Sequence, residues 1–283
     1  MMQGDVSTVG LSGRDFKRLA EFVQGYAGIK MPATKKSMLE GRLRKRVRAL
    51  GLGSFDQYCR HLFDEGGWDT EVTHLIDAVT TNKTDFFREP EHFRFLADIA
   101  LPEMAALGIG MQKPLMAWSA AASIGAEAYS IAMLLADFAA AQRGFRFSVL
   151  ATDICTEVLE TAHRAIYSEE MIAPVPMDMR KRYLRRAKDS ASHTVRIAPD
   201  LRSRVTFARL NLIEGPYELD LAAHLLFCRN ILIYFDKPTQ EAVVGNLCWH
   251  LLPGGYLFIG HSESIAGFDL PLRQVATAVF QRV

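Results

Sequence analysis

The sequence predicts an α/β protein: a mostly parallel sheet wrapped by helices, preceded by a small all-helical module and carrying a small β-hairpin insertion. Three observations lead there. The first ~80 residues show helical periodicity and nothing strand-like. From Leu115 onward, short apolar runs alternate with helical stretches, the pattern of a parallel sheet with helical crossovers. Between about 177 and 204 that alternation breaks. The boundaries follow: residues 1–80 for the helical module, 81–92 for a linker, and 93–283 for the sheet domain.

The elements can be justified in order. "LSGRDFKRLAEFVQGYAG" opens on Ser12, a helix cap, and sets Phe16, Leu19, Ala20 and Val23 on one face. "TKKSMLEGRLRKRVRALG" aligns Leu39, Leu43, Val47 and Leu50 and stops at Gly51. "SFDQYCRHLF", "TEVTHLIDAVTT" and "HFRFLADIALPEMAALG" continue as helices. "PLMAW" is a strand, "SAAASIG" a small-residue loop and "AEAYSIAMLLADFAAA" a helix. "FRFSVLATD" and "TEVLETAHRAIY" repeat strand and helix. "RYLRRA" and "TVRIA", either side of the polar turn "KDSASH", form the inserted hairpin. "RVTFARLNL", "HLLFCRNILIYF" and "GGYLFIGHSES" read as three further strands. The helix "KPTQEAVVGNLCWHLL" is closed by Pro253-Gly254-Gly255, and "LRQVATAVFQRV" supplies closing strand material.

Composition narrows the class. Nearly balanced charge (+1) and 49% apolar residues describe a globular protein. No run reaches the ~20 apolar residues that cross a bilayer, and the N-terminus has no signal-peptide pattern, so a cytoplasmic protein without membrane insertion is expected. Cys59, Cys155, Cys228 and Cys248 are scattered, which fits buried free thiols and no metal site. Lys30 to Leu50 holds eight basic residues and one acid. That stretch is either a solvated face or a dock for an acidic partner. Its few aromatic residues weigh against nucleic acid.

Four places carry chemistry. The small-residue loop after the first strand lets a ligand approach the backbone, but it is not G-x-G-x-x-G, and a tight packed turn would look the same. Asp153, at the end of the second strand, sits where an acid grips a ribose diol; helix capping is the alternative. Arg229 and Asn230 interrupt "FCRNILIYF" with polar groups that need partners. "TTNKTDFFREP" sets Asn82, Lys83, Thr84, Asp85 and Arg88 around Phe86 and Phe87, too much hydrogen-bonding capacity for a plain linker. "GHSES" reads as loop capping or site lining, since His261 has no companion at ligand spacing.

Taken together, "RLRKRVRALGLGSFDQYCRHL", "TTNKTDFFREPEHF", "WSAAASIGAEAYSIAMLLAD", "ATDICTEVLETAHRAIY", Asn211-Leu212, "CRNILIYFDKPTQE" and "LPGGYLFIGHSES" resemble the chemotaxis receptor glutamate methyltransferases, the CheR family, over nearly the whole chain. The resemblance implies a class I S-adenosylmethionine-dependent fold, with S-adenosylhomocysteine as product. It implies methylation of glutamates on acidic helices of chemoreceptor cytoplasmic regions, by a monomer. Cofactor contacts carried over fall on Asn82, Thr84, Arg88, Glu127, Asp153, Asn211, Leu212, Arg229 and Asn230, with Arg88 and Tyr234 nearest methyl transfer. The basic stretch then becomes a substrate dock, with Arg42, Arg44, Lys45, Arg46 and Arg48 as candidates. Two departures stand out: Ala126 and Ala128 replace the family's usual glutamate and proline in G-E-E-P-Y-S, and the turn "AKDSASH" lacks the glycines of members that tether a receptor peptide there.

The chemistry suits this inventory. A glutamate acceptor, titrating near ~4.3, is already a nucleophile at neutral pH and needs no general base. Competing readings are a non-catalytic S-adenosylmethionine-sensing regulator, or a methyltransferase acting on another signalling protein or on nucleic acid. The last lacks its expected Asp/Asn-Pro-Pro-aromatic motif: here Ile231-Leu232-Ile233 follow Asn230. A nicotinamide dehydrogenase shares the Asp153 logic and fails on the loop.

Overall fold

The computed structural model describes residues 10–187 and 193–283. Four helices come first: α1 (Gly13–Ala27), α2 (Lys36–Ala49), which is entered through a 3-10 turn at Ala33–Lys35, α3 (Phe55–Phe63) and α4 (Trp68–Val79). The Ser12 hydroxyl accepts the Asp15 amide at 3.0 Å, capping α1, and Gly28 closes that helix in the left-handed region at φ 71°. The stripes of these helices (Leu19 and Val23, Leu39 and Leu43, Tyr58 and Leu62, Leu75 and Ile76) meet in a core of their own, against which Ile154 packs from the sheet domain.

Next, α5 (Pro90–Phe95), a π turn (Leu96–Ala100) and α6 (Leu101–Ala106) follow without a break. The wide turn lies just before Pro102, which cannot donate to the carbonyl four residues back and whose ring crowds it.

The sheet domain runs β1 (Leu115–Ala120), α7 (Ala126–Ala141), β2 (Phe147–Asp153), α8 (Thr156–Arg164), β3 (Ile166–Ser168), α9 (Met177–Tyr183), β4 (Leu184–Arg186), β5 (Thr194–Ile197), α10 (Pro199–Arg202), β6 (Val205–Arg209), β7 (Ala223–Cys228), α11 (Lys237–His250), β8 (Leu251–Ile259), β9 (Leu272–Ala276) and β10 (Val279–Arg282). Seven strands form one sheet in the order β6-β2-β1-β7-β8-β10-β9. Its first five are parallel, and β10 and β9 close it antiparallel. Ala120 pairs with Thr152 on one side and Cys228 on the other, so the carboxyl ends of β1, β2 and β7 are level. Strand order reverses at β1, and ligands of open α/β sheets bind beyond such a point. Register therefore puts the small-residue turn, Asp153 and Arg229 around one spot.

Four details differ from the sequence reading. "HLLFCRNILIYF" is a strand only to Cys228; Leu232–Tyr234 is a 3-10 turn, because Asn230 at φ 59° reverses the chain. α11 stops at His250 and strand pairing starts at Leu251. The C-terminal segment is a hairpin, β9 and β10, turned at Ala278 (φ 56°). The insertion pairs β4 with β5 as expected, but recruits β3 from outside 177–204 into a three-stranded sheet, β3-β5-β4. Residues 188–192 of its turn, including the stretch without glycine, lie outside the described residues.

Candidate active site

The linker is fixed at both ends of its aromatic pair. Phe86 is fully buried, edge-on to Tyr167 at 5.0 Å, and the Phe87 amide donates to the Ser130 hydroxyl at 3.0 Å. Phe87 (φ 51°) and Glu89 (φ 56°) are both left-handed, a strained path for residues with a Cβ that is held by these anchors. What remains of the linker faces an open cleft of about 1090 Å³, including its solvent-facing mouth.

Asn82, Thr84, Arg88, Glu127, Asp153, Asn211, Leu212, Arg229, Asn230 and Tyr234 all line that cleft. They arrive from the linker, the start of α7, and the ends of β2, β6 and β7. The turn from β1 into α7 passes through left-handed Ala121 (φ 62°), Ser123 (φ 52°) and Gly125 (φ 84°), a tight reversal eased by small side chains. The Ser123 hydroxyl donates to the Asn82 carbonyl at 2.8 Å, binding linker to turn.

Asp153 is buried, and its carboxylate accepts the amides of Ser123 at 2.8 Å and Cys155 at 2.9 Å. Burial raises its pKa above the usual carboxylate range, against those amides. A carboxylate offers about four lone-pair sites, so with the Ile154 amide also acting on it Asp153 still has capacity for a ligand donor.

Arg229 organises the opposite wall. Its side chain is 2% exposed and pairs with Glu89 at 2.9 Å and Glu127 at 3.1 Å, while Ser119 donates to Glu127 at 2.7 Å. Burial works against the charge of Glu89, yet the Arg229 pair holds its carboxyl below the ordinary range. Glu127 is more deeply enclosed, and there burial wins and pushes the carboxyl up. Arg229 Nε is buried without a hydrogen-bond partner among the described residues. By contrast Arg88 makes one long side-chain bond among the described residues, 3.4 Å to the Lys83 carbonyl.

Sequence reasoning missed Glu263. Its carboxylate accepts the amides of Gly260 at 2.6 Å, Asn230 at 2.9 Å and Leu232 at 2.7 Å, so it fixes the turn that carries Tyr234. "GHSES" thus caps a site loop through its glutamate. Contributions from the helical module were missed as well: Ala27, Ile29, Met31, Lys35 and Met38 line the cleft. Asn211 ties that module down, donating to the Tyr26 carbonyl at 2.6 Å.

None of the five candidate docking residues lines the cleft. Arg46 is committed to buried Glu71 at 2.7 Å, and Arg42 donates to the Val79 and Thr80 carbonyls where the linker begins. Arg44, Lys45 and Arg48 are exposed.

His261 does gain companions through the fold: Glu89, His92 and His261 bring ligand atoms within 4.8 Å of one another. Arg229 already supplies the positive charge beside Glu89, so a cation there would meet a guanidinium.

Residues 14–80 match the family described as "CheR methyltransferase, all-alpha domain", and residues 82–280 match "CheR methyltransferase, SAM binding domain". The chain belongs to the CheR methyltransferase family. It is 38% identical to a chemotaxis protein methyltransferase of Escherichia coli, over 92% of this chain and 87% of that one. It is 36% identical to chemotaxis protein methyltransferase 2 of Pseudomonas aeruginosa, over 94% and 92%. The cofactor of this CheR chain is S-adenosylmethionine. The cleft fits it: an acid with unused lone pairs at the tip of β2, a small-residue turn, and polar groups of the linker share one cavity.

Proposed function

We propose that this CheR chain converts glutamate side chains on acidic helices of chemoreceptors to glutamyl methyl esters, working in the cytoplasm as a monomer. The observation that supports this best is the make-up of the cleft. Arg88 and Tyr234 enter it from the linker and from the turn after β7, and among the described residues its lining contains no histidine or cysteine. A carboxylate acceptor needs no base, whereas a hydroxyl or an ammonium group must first lose a proton.

S-adenosylmethionine supplies a methyl group on a sulfonium, an electrophile ready for in-line attack. Asp153 accepts from the ribose hydroxyls, its oxygens aimed by the Ser123 and Cys155 amides. Asn82, Thr84, Glu127, Asn211, Leu212, Arg229 and Asn230 complete the cofactor's surroundings. Arg88, always cationic, orients the acceptor carboxylate, and the Tyr234 hydroxyl donates to it. Apolar walls from Ile29, Met31 and Phe235 exclude water from a nucleophile that is otherwise well solvated. Arg44, Lys45 and Arg48 carry the charge that meets an acidic receptor helix.

Incubation with labelled S-adenosylmethionine and receptor cytoplasmic fragments tests this. Base-labile label on the fragment is expected, falling sharply in Arg88→Ala and Tyr234→Phe. Base-stable label on nucleic acid, or cofactor binding with no transfer, would overturn the reading in favour of a nucleic-acid enzyme or a sensing regulator.

A further inference from the structure

The helical module does more than flank the cleft. Lys35, at the end of the 3-10 turn before α2, lines the cavity, and its ammonium lies 5.8 Å from the centre of the Tyr234 ring. It donates to the Lys30 carbonyl at 3.0 Å. Among the described residues it has no acidic partner. The charges acting on it are Arg42 from α2 and Lys30 from the preceding loop, both cations. Partial burial and these neighbours lower its pKa. Burial and like charges both work against the ammonium form, and an anion arriving beside it would offset both.

Two ligand carboxylates could serve: that of the cofactor's methionine portion and that of the acceptor glutamate. Position favours the acceptor. Lys35 sits against Tyr234 and on the helical module, and it immediately precedes the helix whose exposed residues include Arg44, Lys45 and Arg48. A helix laid along α2 would bring its side chains to the cleft at this end.

We propose that Lys35 is a specificity residue for the methyl acceptor: its ammonium pairs with the incoming glutamate carboxylate opposite Arg88, so that the helical module completes the acceptor site. This rests on the glutamate methyltransferase reading above. It also explains why a carboxylate would be accepted and a glutamine amide disfavoured, since an ammonium rewards only the charged group with a charge-assisted bond.

The test uses the full chain, a glutamate-rich receptor fragment and S-adenosylhomocysteine. Lys35→Met keeps the stem and removes the charge; Lys35→Arg keeps the charge. Expected for Lys35→Met is a rise in KM for the fragment of roughly tenfold or more, the size of a lost charged hydrogen bond. S-adenosylhomocysteine affinity by calorimetry should stay within about twofold of wild type, which also reports an intact cleft, and Lys35→Arg should recover most of the KM. An unchanged KM in Lys35→Met overturns the assignment. So does a loss confined to S-adenosylhomocysteine affinity, which would give Lys35 to the cofactor's carboxylate. Wild-type protein that labels no receptor fragment sinks the underlying reading, a result distinct from either of these.

Discussion

The carboxylate of Glu263 accepts the backbone amide of Asn230 at 2.9 Å, across the tips of β7 and β8. One side chain thereby holds Asn230 in its left-handed conformation and, through Leu232, the turn bearing Tyr234. Glu263→Ala would leave four amides, of Asn230, Leu232, Ile233 and Gly260, seeking water and free the loop. A rise of roughly tenfold in S-adenosylhomocysteine dissociation constant and a larger fall in kcat are expected, at about 1–3 kcal/mol per buried group left unpaired. Calorimetry and steady-state kinetics would check this. Wild-type values in both would remove Glu263 from the site's support.

Arg229 pairs with two acids at once, and both lose their counter-charge if it goes. Arg229→Met should lower unfolding free energy by about 3–5 kcal/mol, the usual cost of stranding buried charge. Adding Glu127→Gln should return part of that loss, because a neutral amide no longer needs the guanidinium. Urea unfolding of the single and double variants measures the difference; strict additivity would show that the pair is not coupled.

Stability should also depend on pH through His92. The ring is 1% exposed, and burial, aided by nearby Arg229, lowers its pKa to about 4, with Glu89 opposing. The unfolded chain binds a proton near ~6.5 and the folded one does not, so this contribution is complete above pH ~6.5 and is lost as pH falls toward 4. The span is worth about 3 kcal/mol. Glu89, held below its ordinary value, adds a second loss only below about 4.5. His92→Phe should flatten the curve between pH 4.5 and 6.5, read by urea midpoints across that range.

The basic face of α2 divides into two kinds of residue. Neutralising Arg44, Lys45 and Arg48 together should raise KM for a receptor fragment and weaken its dependence on salt, leaving thermal stability within about 0.5 kcal/mol. Arg46→Ala should instead destabilise the helical module, since Glu71, 2% exposed, would keep the Tyr58 hydroxyl but lose its counter-charge. Salt titration of the kinetics separates the two groups.

The alternation of strands and helices was legible because apolar runs and caps report local periodicity directly. Ser12, Gly28 and the ends of β1 and β2 show it. The cleft was legible in part, because Asp153, Arg229 and Asn230 are polar groups at strand ends and Asn82, Thr84 and Arg88 crowd one linker. The partners that hold them were not. Glu263 reaches Asn230 from the next strand, and Glu89 reaches Arg229 from a linker that folds back on itself; only tertiary register brings such pairs together. Arg42 and Arg46 look like free surface charge in sequence, because nothing local distinguishes a solvated arginine from one bound to Glu71 or to the carbonyls at the end of α4. The hairpin of β9 and β10 was hidden for another reason: its turn sits on Ala278, which gives no glycine signal.

The bond from Asn211 to the Tyr26 carbonyl has a thermodynamic consequence. With Arg209 on the Tyr26 hydroxyl, Thr156 on Asp77 and the Lys30 amide on the Tyr234 carbonyl, it clamps the four-helix unit onto the strand tips, and the cavity between them is walled by both. Any molecule filling that cavity touches each unit and is lost when either opens. Occupancy should therefore raise the melting temperature of both units together, by an amount that grows with the logarithm of ligand concentration.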